Sequence, residues 1–270
     1  MENEKNKKQI TAFRRIVVKI GSSSLTHDTG KLDLRRIEHL CRVLADLKNM
    51  GKEVILVSSG AVAAGVSKIG CARPRRTAEK QALASVGQIE LMRLYGEFFS
   101  LYGQTVAQIL LTKDVIDSPA RREAAEATFE ELLSMGIIPI INENDPISCY
   151  ELEFGGNDRL SAYVGVVCHA DLIVNLTDID GYYDSDPRKN PFAKRIPYVE
   201  SITDDMVTAA GGAGTERGTG GMQAKLLAAK IASESGIPMM IVSAADPEIL
   251  YGVLDGSAEG TYFAASAPEI

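Results

Sequence analysis

Short apolar runs alternating with amphipathic stretches predict an α/β fold, a mostly parallel sheet packed between helical layers. Two observations carry that expectation. Six segments (16–20, 53–58, 105–111, 137–142, 172–177 and 239–243) read as strands, and most are continuous β-branched or leucine-rich runs. Strands of that kind are buried on both faces, as in a parallel sheet, whereas a half-exposed strand alternates apolar with polar. The stretches between them repeat apolar residues at helical spacing.

In chain order, the first strand ends in Lys19-Ile20 and runs into Gly21-Ser22-Ser23-Ser24. Leu34, Ile37, Leu40, Cys41, Leu44 and Leu47 then mark a helix, with Asp33 as its N-cap and Gly51 as its stop. The second strand leads through Ser58-Ser59-Gly60 into a small-residue helix over 61–67. Segments 77–102 and 121–135 read as further helices on either side of the third strand. The fourth strand is followed by Asn142-Glu143-Asn144-Asp145, expected to project from the end of the sheet. Gly155-Gly156 precedes Asn157-Asp158 and a helix over 160–167, so the plainest role of Asn157 or Asp158 is that of an N-cap. The fifth strand closes on Thr177-Asp178, and Gly181 with Asp186-Pro187 reads as a capped turn. Long irregular stretches at 148–157, 181–197 and 211–221 are expected to be functional loops.

Length and composition bound the function. No sharp boundary or low-complexity linker divides the 270 residues, so a single domain is expected over 1–270, with a disordered tail at 1–13. Two lobes are expected to meet near residue 170, about 14–170 and about 171–265. The net charge of −7 disfavours nucleic acid or an anionic membrane as partner. No run of about 18 apolar residues predicts a membrane span, and the polar opening residues do not read as a signal peptide. Cys41, Cys71, Cys149 and Cys168 lack C-x-x-C spacing, and with His27, His39 and His169 they do not form a zinc pattern. Free thiols fit a reducing, cytoplasmic compartment.

The strongest chemical signal is Gly218-Thr219-Gly220-Gly221-Met222-Gln223-Ala224-Lys225, which opens a helix over 226–235. Glycines admit a close ligand, and the unpaired N–H groups of the helix start favour an anion, phosphate above all. Lys225 adds a mobile charge. A flexible linker before an ordinary helix is the bland alternative. Neither the Walker pattern nor G-x-G-x-x-G occurs, so any nucleotide binds by another plan. Lys19, at the end of an apolar strand, calls for a partner or a route to the surface. The N–H groups of Gly21-Ser22-Ser23 suit a phosphate as well.

Taken together, Val17 to Ser22, Ser59-Gly60-Ala61, Asn142 to Asp145, Asn157-Asp158, Leu176 to Asp178, Asp186-Pro187 and Gly218 to Met222 resemble the amino acid kinase family. Within it, the pattern is similar to members that phosphorylate the γ-carboxylate of L-glutamate. The resemblance spans about 14–263. It implies a three-layer sandwich around a mostly parallel sheet of about eight strands, and transfer of the ATP γ-phosphoryl group to L-glutamate. It implies a catalytic set of Lys19, Asp158 and Lys225, with the aspartate organising both lysines. Ser59, Asn142, Asp145 and Asn157 are implied to bind substrate. Lys19, Gly21, Thr177, Asp178 and the run Thr219, Gly220, Gly221, Met222, Gln223, Ala224, Lys225 are implied to bind ATP. Mg2+ is implied with ATP, held mainly by the phosphates with few protein ligands, and no residue is singled out as a metal ligand. Feedback inhibition by L-proline and a homo-oligomer, dimer or tetramer, complete the expectation.

Two departures stand out. Many bacterial relatives carry a C-terminal PUA domain, and this chain resembles the catalytic domain only. Gly156 stands where the family commonly has an acid, so weaker substrate binding is expected at that loop unless the glycine serves the backbone. The rival readings are a kinase of the same family acting on acetylglutamate, aspartate or a nucleoside monophosphate, and a non-catalytic amino acid sensor.

Overall fold

The computed structural model describes residues 13–148, 154–211 and 221–266. The chain begins with β1 (Arg15–Ile20), the single turn α1 (Ser22–Leu25), α2 (Leu34–Asn49) and β2 (Glu53–Ser58). It continues through α3 (Ala61–Ile69), α4 (Thr77–Leu101), β3 (Val106–Leu111), α5 (Lys113–Asp117), α6 (Pro119–Ser134) and β4 (Ile138–Glu143). After a 3-10 turn (Asp145–Ile147) come α7 (Asn157–Val167), β5 (Leu172–Thr177), β6 (Tyr182–Tyr183), β7 (Arg195–Ile196) and β8 (Tyr198–Val199). The last elements are α8 (Asp204–Ala209), α9 (Met222–Glu234), β9 (Met239–Ser243), α10 (Ile249–Asp255) and β10 (Thr261–Phe263).

One eight-stranded sheet has the order β3-β4-β2-β1-β5-β9-β10-β8, and β6 and β7 form a separate hairpin. The first six strands in that order pair in parallel; β10 runs antiparallel to β9 and parallel to β8. All six strands expected from the sequence are present within a residue at either end. The two- and three-residue strands β8 and β10 are too short to leave a periodic signal.

Strand alternation divides the core into two layers. Ile16, Val18 and Ile20 of β1 enter a cluster with residues of α2, α3, α4 and α10. Val17 enters the opposite cluster, with residues of α6, α7 and α9. Lys19 has the parity of Val17, so it emerges on the α7 and α9 side and is buried there at 5% exposure.

Helix ends follow local chemistry. Asp33 accepts from Arg36 N at 3.0 Å, the N-cap read from the sequence, and Gly51 past the far end has φ +88°. α6 starts two residues ahead of the expected Arg121, at Pro119, where a missing N–H costs nothing.

The N-cap reading of Asn157 and Asp158 is corrected. α7 is capped by Gly156 with no side-chain hydrogen bond, and both side chains turn elsewhere. The polar run after β4 is also corrected in part: Asn142 and Glu143 belong to the strand, and Asn142 is buried.

α3 and α4 cross backbone to backbone. A Cβ added to Gly87 would lie 1.7 Å from Ala61 O, and one added to Gly65 would lie 2.0 Å from Leu83 O. Glycine at both positions is therefore what lets the pair approach so closely.

Candidate active site

Parallel strands put their carboxyl ends at one edge of the sheet, the usual place for a ligand in such folds. Along that edge Lys19 of β1, Asp158 of α7 and Lys225 of α9 converge. Lys19 Nζ donates to Asp158 Oδ1 at 2.5 Å, and Lys225 Nζ donates to Oδ2 at 3.1 Å. All three side chains are buried. Lys225 comes from the first turn of its helix, Lys19 from a central strand, and both depend on Asp158 to lie together. Two ammonium groups share one carboxylate here, an arrangement suited to receiving an anion.

Burial works against the charged form of Asp158, but the charges of Lys19 and Lys225 prevail and hold its pKa down at about 2. For Lys19, burial pulls the ammonium pKa below its ordinary value; Asp158 opposes this and Lys225 adds to it.

A fourth group, unforeseen in the sequence reading, completes the cluster. Asn175 of β5, fully buried, donates from Nδ2 to Asp158 Oδ1 at 2.8 Å. A polar residue inside the apolar run Leu172–Thr177 is the same kind of signal that singled out Lys19.

A chain of amides joins this cluster to the other sheet face. Asn157 Nδ2 lies 2.7 Å from Ser58 O, 2.8 Å from Ser59 Oγ and 2.9 Å from Asn142 Oδ1. Asn142 Nδ2 in turn donates to Gln88 Oε1 of α4 at 2.9 Å. Three expected substrate residues, Ser59, Asn142 and Asn157, are thus brought together, and Gln88 is added to them. No sequence signal marks Gln88, because glutamine inside a helix is ordinary.

Asp145, the fourth, is half-buried in the 3-10 turn after β4. It lines a cleft of about 240 Å³ with Gln88, Gln108, Glu143 and Ala84, among others. Gln88 is common to the cleft and the amide chain, so the two are continuous.

The residues expected to hold nucleotide are placed in part. Gly21 precedes α1, and a Cβ there would stand 3.6 Å from Lys19 Nζ. Thr177 ends β5 and donates from Oγ1 to Asp178 Oδ1 at 3.0 Å. Gly221 is the N-cap of α9 without a side-chain cap, and Met222, Gln223, Ala224 and Lys225 form its first turn. Thr219 and Gly220 lie outside the described residues, as does the tail at 1–12. Among the described residues there is no group of three or more side chains that could hold a metal ion, and no helix is long and apolar enough to cross a membrane. Cys41, Cys71 and Cys168 are free thiols.

The chain is similar to known kinases over nearly its whole length. The chain is 48% identical over 268 residues to a glutamate 5-kinase of Clostridium perfringens (strain 13 / Type A), covering 97% of this chain and 100% of that one. It is 50% identical over 260 residues to a glutamate 5-kinase of Clostridium tetani (strain Massachusetts / E88), covering 96% and 97%. In fold it is similar to the UMP kinase of Bacillus anthracis, with a TM-score of 0.65 and 19% identity over 94% of this chain and 97% of that one. The sequence pattern of the amino acid kinase family matches residues 14–243. The chain belongs to the amino acid kinase family.

Proposed function

We propose that the chain is a glutamate 5-kinase, moving the γ-phosphoryl group of ATP onto the γ-carboxylate of L-glutamate to give L-glutamyl 5-phosphate. The observation that carries this is the buried Lys19–Asp158–Lys225 cluster, joined by the Asn157–Asn142–Gln88 chain to an acidic cleft. Close similarity over nearly the whole of two glutamate 5-kinases supports the choice of acceptor.

In this reading the γ-carboxylate oxygen attacks the γ-phosphorus as the bond to the bridging oxygen of ADP breaks. Little covalent chemistry falls to the protein; positioning and charge neutralisation do the work. Lys19 and Lys225 bear on the transferred group and the leaving phosphate, and Asp158 holds both. Asp145 grips the substrate ammonium, while the amides of Asn142 and Asn157, with Ser59, orient the carboxylates. Thr177, Asp178 and 219–225 flank the nucleotide. Mg2+ would arrive on the ATP phosphates and neutralise their charge, which suits a site whose one central carboxylate is already committed to two lysines. The lobe before about residue 170 carries the amino acid and the lobe after it the nucleotide.

L-proline as feedback inhibitor, sharing the glutamate pocket, a homo-oligomeric state and a cytoplasmic location belong to the same reading. Hydroxylamine trapping of the acyl phosphate tests it: hydroxamate should form only with L-glutamate, ATP and Mg2+ together. Turnover with another acceptor and none with glutamate would overturn it.

A further inference from the structure

Asn175 sits inside β5 with no exposed surface. Buried amides are normally hydrogen-bonded at both ends. Here one end is used: Nδ2 donates to Asp158 Oδ1 at 2.8 Å, while Oδ1 has no partner among the described residues. An aliphatic residue like its neighbours would remove that unsatisfied carbonyl, so packing does not account for the asparagine. Parallel pairing sets Asn175 beside Lys19 on the adjacent strand. Both therefore rise on the face of Val17 and Ile173, and their donors meet at the same carboxylate oxygen.

We propose that Asn175 is a positioning residue for phosphoryl transfer, holding the Asp158 carboxylate in the orientation that gives Oδ1 to Lys19 and Oδ2 to Lys225. The role presupposes the kinase reading above. A carboxylate turns easily about its terminal torsion, and ammonium groups on four-carbon stems follow it rather than fix it. A planar amide anchored in a central strand does fix it. The ionisable groups facing this point are Lys19 from β1, Asp158 from α7, Lys225 from α9 and Asp178 just past β5. Lysine heads displaced by a turned carboxylate would miss the developing charge, and small misplacements cost much in rate.

The test compares the full chain with Asn175→Leu and Asn175→Asp by hydroxylamine trapping across pH. Asn175→Leu should lower kcat by about ten- to a hundredfold, the scale of one hydrogen bond to a charged group, with both Michaelis constants little changed. Asn175→Asp keeps the shape but donates only while protonated, so its kcat should recover as pH falls. A second measurement needs no substrate. In protein labelled with 13C at lysine Cε, the Lys19 signal, assigned by its loss in Lys19→Arg, should titrate at higher pH in Asn175→Asp. Unchanged kcat in Asn175→Leu, or an unmoved Lys19 titration in Asn175→Asp, overturns the role. So does an equal, pH-independent loss in both variants accompanied by a lower Tm, which marks packing alone. If the unmodified chain forms no glutamate-dependent hydroxamate, the substrate reading fails, and the Lys19 titration still decides the role of Asn175.

Discussion

Lys19 and Lys225 grip opposite oxygens of one carboxylate, Oδ1 and Oδ2 of Asp158, from opposite ends of the sequence. Neither lysine is positioned by its own element alone. Their shared anchor keeps the two charges together, and in the proposed reaction such charges count most when the phosphoryl group is in flight.

Lys19→Ala and Lys225→Ala should each lower kcat by about a hundredfold, on the order of 3 kcal/mol of transition-state stabilisation. The Michaelis constant for glutamate should move far less. Steady-state kinetics on the two variants check this, and near-normal turnover in either would remove that lysine from the chemistry.

Asp145→Ala should weaken glutamate binding and leave ATP binding intact, because Asp145 lines the cleft at the far end of the amide chain from the lysines. Isothermal titration with each ligand reads the two affinities separately; equal glutamate affinity in the variant refutes the placement.

Acid should cost the fold part of its stability through Asp158. Its pKa lies near 3.8 as a free side chain and is held at about 2 in the folded protein. A depressed folded value means the contribution is complete above the unfolded pKa and disappears as pH falls through the folded one. Between roughly pH 5 and pH 1 about 2–3 kcal/mol should be lost. Urea unfolding of the chain and of Asp158→Asn over that range should show a steeper decline in the former.

Gly156 holds φ at +106°, a conformation that side chains adopt at a cost. Gly156→Asp should therefore lower stability by about 1–3 kcal/mol and fail to tighten glutamate binding. The backbone angle favours the reading in which the glycine serves the backbone. A tighter Michaelis constant at unchanged Tm would restore the missing-contact reading.

Gly87→Ala should destabilise by about 1–3 kcal/mol or more, since the added methyl meets a backbone carbonyl that has no room to retreat. Chemical denaturation measures it, and a neutral result would mean that α3 and α4 part more easily than their contact implies.

Much of this architecture was legible because buried parallel strands write themselves as largely apolar runs; Glu53–Ser58, Leu172–Thr177 and Met239–Ser243 match residue for residue. Lys19 was legible because a cation in such a run needs a reason. Asn175 gives the same signal in weaker form, because a buried amide asks for less compensation than a buried cation. Gln88 gave none: its role comes from the helix crossing that carries it to Asn142, a tertiary fact. Asn157 and Asp158 misled in detail, because Asn and Asp ahead of a helix fit an N-cap, and here Gly156 takes that place while they reach across to β1, β2 and β4.

The crossing of α3 and α4 at Gly65 and Gly87 has a consequence for selectivity. Ser59 stands just ahead of the first helix and Gln88 lies within the second, so neither can drift from the other. The crossing therefore holds Ser59 and the Gln88 side of the Asp145 cleft in one frame. If the proposed function holds, an acceptor one methylene shorter than glutamate should meet one end of that frame and miss the other. Under the proposed function, discrimination between neighbouring acidic amino acids would then rest on two side chains that are not there.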